Sequence, residues 1–253
     1  MKNYLIISLL ILSVGFCQQE YNHNDLIEMD NGLWTIKFRD EPITGKVYSY
    51  FGESKPYKKV YIGYIRNGKR QDRWKTYYHS TGKKEEDLNY KDGKLVGLCH
   101  EWFENGQKRQ EGTFKDGKKD GLFSFWYENG QKRQEGTFKD GKKDGLFSFW
   151  YENGQKKQEE THKDGKPDGL ITLWYENGQK KQEETYKDGK LNGLITEWYE
   201  NGQKSLEGNL TIGKRQGLFN KWYKNGQKKF KGTYKGGDLI SFQEWNEDGS
   251  VKE

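Results

Sequence analysis

The sequence predicts an all-β protein, an elongated repeat array of antiparallel β-hairpins, and three observations carry that prediction. Trp102, Trp126, Trp150, Trp174, Trp198 and Trp222 stand 24 residues apart, and a fixed period of this length marks a stacked repeat architecture. Asn-Gly follows at a constant distance, at Asn105, Asn129, Asn153, Asn177, Asn201 and Asn225, between runs rich in aromatic and apolar residues, which is the strongest short hairpin signal. The chain of 253 residues has 32 glycines and no alanine, so long helices lack their best former and are crowded by a poor one.

Composition agrees. Hydrophobic residues make up only 31% and charged residues 32%, which argues against a deep aliphatic core. The same figures would suit a disordered chain, but such chains are poor in aromatics, and Phe, Trp and Tyr supply 15% here.

Taken in order, Lys2 precedes an apolar stretch from Tyr4 to Phe16, followed by Cys17 and a polar run. This is the pattern of a secretory signal peptide over residues 1–17. The stretch is thirteen residues long, short of the roughly 20 that span a bilayer. The mature chain is therefore expected to be exported, periplasmic or extracellular. A second reading makes Cys17 a lipidated first residue, although Phe16 stands where lipoprotein signals place Gly or Ala. Cleavage leaves Cys99 as the one cysteine, so no intrachain disulfide forms. It also lowers the net charge from +6 to +5, since Lys2 goes with the segment.

Residues 18–43 read as an extended N-terminal segment. Residues 44–77 read as a degenerate first hairpin, or cap, with strands Thr44–Phe51 and Val60–Ile65 interrupted by Pro56. Residues 78–249 hold the hairpin repeats: Tyr78 takes the Trp place one period before Trp102, and Trp245 follows Trp222 after 23 residues. Residues 250–253 are a tail. Glu104–Trp126 and Glu128–Trp150 are the same 23-residue string, which duplication of one unit explains.

Within a unit, Gly121–Tyr127 and Lys132–Phe138 read as strands. A two-residue Asn-Gly turn needs positive φ at both residues, and counting back from it sets Phe125 opposite Gln134 and Phe123 opposite Gly136, a ring facing a glycine. Gly112, Gly208 and Gly232 share that place, while Glu160 and Glu184 break it. Leu122, Ser124 and Trp126 fall on the other face with Arg133, Glu135 and Thr137, where a guanidinium can rest on the indole. Lys139–Gly145 reads as a longer polar loop. The six tryptophans are taken as the repeat core, and Cys99, in the place of Phe123, as a small core filler.

The pattern G-L-x-x-x-W-Y-E-N-G-Q-K-x-x-E-G-x-[FY]-K-D-G-K-x-x-G resembles the bacterial variant MORN repeat over about residues 44 to 249. Similar chains are grouped with the YwqK-type antitoxin-like family. That resemblance implies a toxin partner and offers no catalytic or binding residues to transfer, and an export signal fits a cytosolic antitoxin poorly. The wider MORN group implies membrane-apposed, protein-binding or spacer modules.

No set of nucleophile, base and stabilising group converges in the sequence. His23, His79, His100 and His162 are scattered. Asp92, Asp116, Asp140, Asp164 and Asp188 read as turn residues, with lysines beside them and no calcium-loop spacing. No enzyme, metal or cofactor is expected. Lys108, Lys132, Lys156, Lys180, Lys204 and Lys228 form a row that could attract an anionic membrane surface, while acids in every repeat argue against nucleic acid. The place of Phe125 is filled by Glu101, Phe125, Phe149, Leu173, Glu197 and Lys221. A position that accepts Glu and Lys reads as solvent-facing, so Phe125, Phe149 and Leu173 are expected to form an exposed apolar row for a protein partner or a second copy. The reading is thus an exported non-enzymatic scaffold for protein interaction, with a peripheral membrane module and an antitoxin-like component as alternatives.

Overall fold

The computed structural model describes residues 19–51 and 57–253; the expected signal segment with Cys17, and Pro56, lie outside them. The first strands are β1 (Glu20–Asn22), β2 (Leu26–Glu28), β3 (Trp34–Ile36), β4 (Gly45–Phe51), β5 (Lys58–Arg66), β6 (Lys69–Tyr77), β7 (Lys84–Lys91), β8 (Lys94–Leu95) and β9 (Gly97–Trp102). The regular array continues as β10 (Lys108–Lys115), β11 (Lys118–Trp126), β12 (Lys132–Lys139), β13 (Lys142–Trp150), β14 (Lys156–Lys163) and β15 (Lys166–Trp174). It runs on through β16 (Lys180–Lys187), β17 (Lys190–Trp198), β18 (Lys204–Thr211), β19 (Lys214–Trp222), β20 (Lys228–Lys235) and β21 (Asp238–Glu244). Nineteen strands form one sheet, and β2 with β3 forms a separate hairpin. Each strand of the array pairs antiparallel with its neighbour in sequence, so the fold is a hairpin meander. Among the described residues there is no α-helix, only a 3-10 turn at His23–Asp25.

The two connections of each unit are the reverse of the expected ones. The tight turn is at Asp-Gly: Lys139 pairs with Lys142, and Asp140 and Gly141 both take positive φ, 50° and 83°. That is the mirror-image turn whose twist matches the flanking strands. The expected polar loop therefore shrinks to two residues, and Lys142–Gly145 is part of β13. At Asn-Gly only the glycine is left-handed, with φ 83° at Gly130. Gly130 N–H donates to the Tyr127 carbonyl at 2.9 Å and Tyr127 N–H to the Gln131 carbonyl at 2.8 Å, while the Asn129 side chain accepts from Gln131 N–H at 2.9 Å. The asparagine closes an Asx turn rather than adopting positive φ itself.

This longer turn shifts the register by one residue at its end. Phe125 lies opposite Gln134 and Phe123 opposite Gly136 as expected, but Trp126 pairs with Lys132 and Arg133 is the bulged residue. The same alignment puts Tyr77, paired with Lys84, in the tryptophan place, and moves Tyr78 to the place of Tyr127.

The buried column is Phe123, Phe147, Ile171 and Phe219, with Cys99 in the same line; Phe123 and Phe147 are wholly buried. Glycine makes this possible. A Cβ on Gly112 would lie 2.4 Å from the Phe123 ring, and one on Gly136 or Gly208 would lie 2.2 and 2.3 Å from Phe147 and Phe219. Where the covering residue is larger, its partner is smaller: Glu160 faces Ile171 and Glu184 faces Ile195. Leu88 and Cys99 repeat the trade at the start of the array. The register also breaks between Gly112 and Phe114, and Phe114 and Phe138 meet the Phe123 ring edge-on at 5.2 and 5.4 Å. The Lys119 ammonium covers it at 4.8 Å from the ring centre, and burial pulls the Lys119 pKa below its ordinary value.

The first hairpin follows the same rule with a larger ring, since a Cβ on Gly63 would lie 2.2 Å from Trp74. Residues 19–43, expected to be simply extended, hold β1, parallel to β4, and the β2–β3 hairpin. Leu26 and Ile43 from this segment join Val47, Ile62, Ile65 and Trp74 in one cluster. The tail is strand-like, with Trp245 bridged to Val251.

Candidate interaction faces

Three surfaces run along the array: the edge formed by the Asn-Gly turns, the face carrying Phe123 and the face carrying Leu122. The edge is stitched from unit to unit. Tyr127, Tyr151 and Tyr175 each donate a hydroxyl hydrogen bond to the carbonyl of the tryptophan in the following unit at 2.8 Å. Asn129 Nδ2 donates to the Glu152 carbonyl at 2.9 Å. The W-Y-E-N-G-Q signature thus records contact between successive turns, and its tyrosine hydroxyl and asparagine side chain are engaged within the chain.

On the face opposite the Phe column, Leu98, Leu122, Leu146, Leu170, Leu194 and Leu218 are all exposed, between 46% and 55%. They form the apolar column in solvent. Threonine or asparagine pairs with them across the strands, as Thr137 does with Leu122 and Asn209 with Leu194. The tryptophans lie on this face too, half-buried, so they are not the buried centre of the repeat. Each of five leans under the lysine of the unit before it, as Lys108 over Trp126 at 5.6 Å and Lys132 over Trp150 at 5.8 Å. The expected contact of Arg133 with Trp126 is replaced by Arg133 over Phe125 at 5.8 Å. The lysine row is also paired with acid: Lys108, Lys132, Lys156 and Lys180 each reach the glutamate three residues on at 2.5 Å. The hydrogen bond from Lys108 holds Glu111 below the usual carboxylate range, and that from Lys132 does the same for Glu135.

Phe125, Phe149 and Leu173 are half-buried on the Phe123 side, not an exposed row. Phe125 stacks on Phe123 with centroids 6.3 Å apart, and Lys119 and Lys143 cover Phe125 and Phe149 at 4.9 and 5.4 Å. The position accepts Glu101 because Arg109 pairs with it at 2.6 Å, so charge there is compensated rather than solvated. The central units carry a polar group on this side. Burial raises Glu160, but the Lys143 ammonium at 2.5 Å and His162 Nε2 at 2.9 Å outweigh it and leave its pKa lowered. Tyr186 is pushed up to about 12 by burial and by its hydrogen bond to Glu184. Cys99 is buried, and burial pushes its thiol up, which disfavours the reactive thiolate. Among the described residues no three His, Cys, Asp or Glu side chains come together as a metal site. His23, His79, His100 and His162 remain apart, His100 stacked on Trp102 at 5.6 Å and His162 edge-on to Phe147 at 5.6 Å.

A single sheet of hairpins whose units bond only to their neighbours defines an elongated β-repeat protein. Five segments, residues 95–116, 119–140, 143–164, 167–188 and 215–235, match the MORN repeat variant family. The unit between the last two matches, with Ile195, Gly208 and Trp198, keeps the same register. No curated protein matches the chain. The leucine column was legible as a Gly-Leu dipeptide at the same 24-residue period as the tryptophans.

Proposed function

We propose that this protein is an exported, non-enzymatic scaffold that binds another protein along the leucine face of its sheet. The observation that carries the reading is the column of six exposed leucines, recurring every second strand and so about 10 Å apart. A regular row of exposed apolar side chains of this kind is what an interaction face presents. The pairing of the lysine row with glutamates weighs against an electrostatic membrane contact, because five of its six ammoniums, all but that of Lys228, already have an acid partner.

The test is affinity capture with residues 18–253 from envelope and cytosolic extracts, using the natural chain and the variant Leu122→Lys, Leu146→Lys, Leu170→Lys. The expected result is a stoichiometric envelope protein held by the natural chain and lost by the variant, with the urea midpoint unchanged. Capture that survives the three substitutions removes this face from the reading. A cytosolic toxin among the captured proteins would favour the antitoxin-like alternative.

A further inference from the structure

Alternate side chains of a strand share a face, and the leucine face repeats one order of side chains. Glu135, Thr137 and Lys139 follow one another on β12 as Glu111, Thr113 and Lys115 do on β10, and the order Glu-x-Thr-x-Lys recurs on β14 from Glu159 and on β16 from Glu183. Thr137 pairs with Leu122 and Glu135 with Ser124. The threonines therefore stand in the leucine row, with a row of glutamates on its Asn-Gly side and a row of lysines on its Asp-Gly side. The order changes at β18, where Thr211 replaces the lysine, and at β20, where Lys231 replaces the glutamate.

Both charged rows keep capacity that the chain does not use. Lys132 and Ser124 donate to Oε2 of Glu135, and Lys156 and Ser148 donate to Oε1 of Glu159, so the other oxygen of each carboxylate accepts from no side chain among the described residues. On the lysine row Lys187 pairs with Asp168 at 3.7 Å, while Lys115, Lys139 and Lys163 have no ion pair among the described residues. The acids of the tight turns are outnumbered: residues 115–120 and 139–144 each hold three lysines and two aspartates. One of those aspartates, Asp120, is already engaged by the backbone, accepting from the Asp140 N–H at 3.2 Å.

A face banded as glutamate, leucine and lysine is complementary to itself. Two copies can meet leucine face to leucine face about a two-fold axis that runs either along the strands or along the leucine row. The first axis lays lysine on lysine and glutamate on glutamate. The second turns the bands over, so that leucine meets leucine, Lys139 meets the second copy's Glu135, and Glu135 meets the second copy's Lys139. That is an isologous contact with opposite charges matched on both sides of an apolar row. We infer that the leucine face of β10–β17 binds a second copy of this chain about the axis along the leucine row, which rests on the protein-binding role proposed for that face and names its partner. Eight strands at about 4.8 Å, with four residues at about 3.4 Å along each, give a strip of roughly 500 Å² on each chain, the size of a weak, reversible contact.

The experiment is sedimentation equilibrium from about 5 to about 500 µM, the range in which a contact of this size dissociates. It compares the natural chain with two double variants, Lys115→Glu with Lys139→Glu, and Glu111→Lys with Glu135→Lys. The natural chain is expected to pass from one chain mass to two as concentration rises. Each double variant alone sets like charges against each other and should associate at least about tenfold more weakly. An equimolar mixture of the two should recover the natural association, because each chain then presents the charge that the other now lacks, a recovery that a folding defect could not produce. A natural chain that stays monomeric throughout, double variants that associate as the natural chain does, or a mixture no better than its components would overturn the inference. A monomer whose capture of an envelope protein is lost with Leu122→Lys, Leu146→Lys, Leu170→Lys keeps the protein-binding face and loses only the second copy. Self-association that survives those leucine changes ends the inference, because the leucine row is then not its contact.

Discussion

Residues in left-handed backbone show how narrowly each position is specified. The first residue of the tight turn is Asp92, Asp116, Asp140, Asp164 and Asp188 in successive units, all with φ near 50°, and Ile212 in the next unit has φ 51°. Aspartate tolerates this conformation because its short side chain bonds locally, whereas a β-branched side chain crowds the backbone. Ile212 is 64% exposed, so it gains little from burial to offset that strain. Its N–H is already accepted by Asn192 Oδ1 at 3.1 Å, and a substitution leaves that bond in place. Ile212→Asn is therefore expected to stabilise the chain by about 1 kcal/mol, read as a higher urea midpoint with an unchanged slope. A lower midpoint would mean that the isoleucine makes a contact worth more than the strain. The sequence displayed the Asp-Gly repeat plainly, yet which dipeptide formed the tight turn was not legible. Both Asn-Gly and Asp-Gly satisfy the same preference, and the choice is made by Tyr127 and Gln131, whose backbone bond lengthens the Asn-Gly connection.

At the scale of the strand, stability is concentrated in one pairing per unit, a ring laid on a glycine across two strands. That pairing was legible, because counting from the turn placed Phe123 opposite Gly136 despite the wrong turn type. What misled was the neighbouring column: Glu101 and Lys221 in the place of Phe125 suggested solvent, but Arg109 and the stems of Lys119 and Lys143 cover that column instead. Amphipathic side chains can roof an apolar row, and a one-residue pattern of polarity does not reveal it. The pairing predicts compensation. Gly136→Ala alone forces a Cβ to within 2.2 Å of the Phe147 ring and is expected to cost about 1–3 kcal/mol. In the background Phe147→Ile, which copies the Glu160 and Ile171 solution in volume, the same alanine should cost at least about 1 kcal/mol less. A double-mutant cycle by urea unfolding measures the difference. Additive effects would show that the ring and the glycine are not the coupled unit described here.

Across the whole molecule the bonds run only between neighbours in sequence, from β9 through β21. Such an array gains stability unit by unit, as a sum of internal and nearest-neighbour contributions. The duplicated string allows a clean test. Removing residues 127–150 joins Trp126 to Tyr151 and leaves every remaining unit with a complete sequence, since Glu104–Trp126 and Glu128–Trp150 are identical. The turn edge re-forms because Tyr151 keeps its bond to the Trp174 carbonyl and Asn105 meets the Glu152 carbonyl in place of that of Glu128, and Phe123 again faces a covering strand, now with Glu160 in place of Gly136. That substitution puts a glutamate against a phenylalanine, a neighbour Glu160 already has in Phe147. The shortened chain is therefore expected to fold, with a far-ultraviolet spectrum of the same shape and a urea slope lower by about a tenth, in proportion to the surface removed. Loss of folding would show that the sheet is stabilised by coupling across its whole length, and the description of the molecule as a sum of neighbouring hairpins would have to be given up.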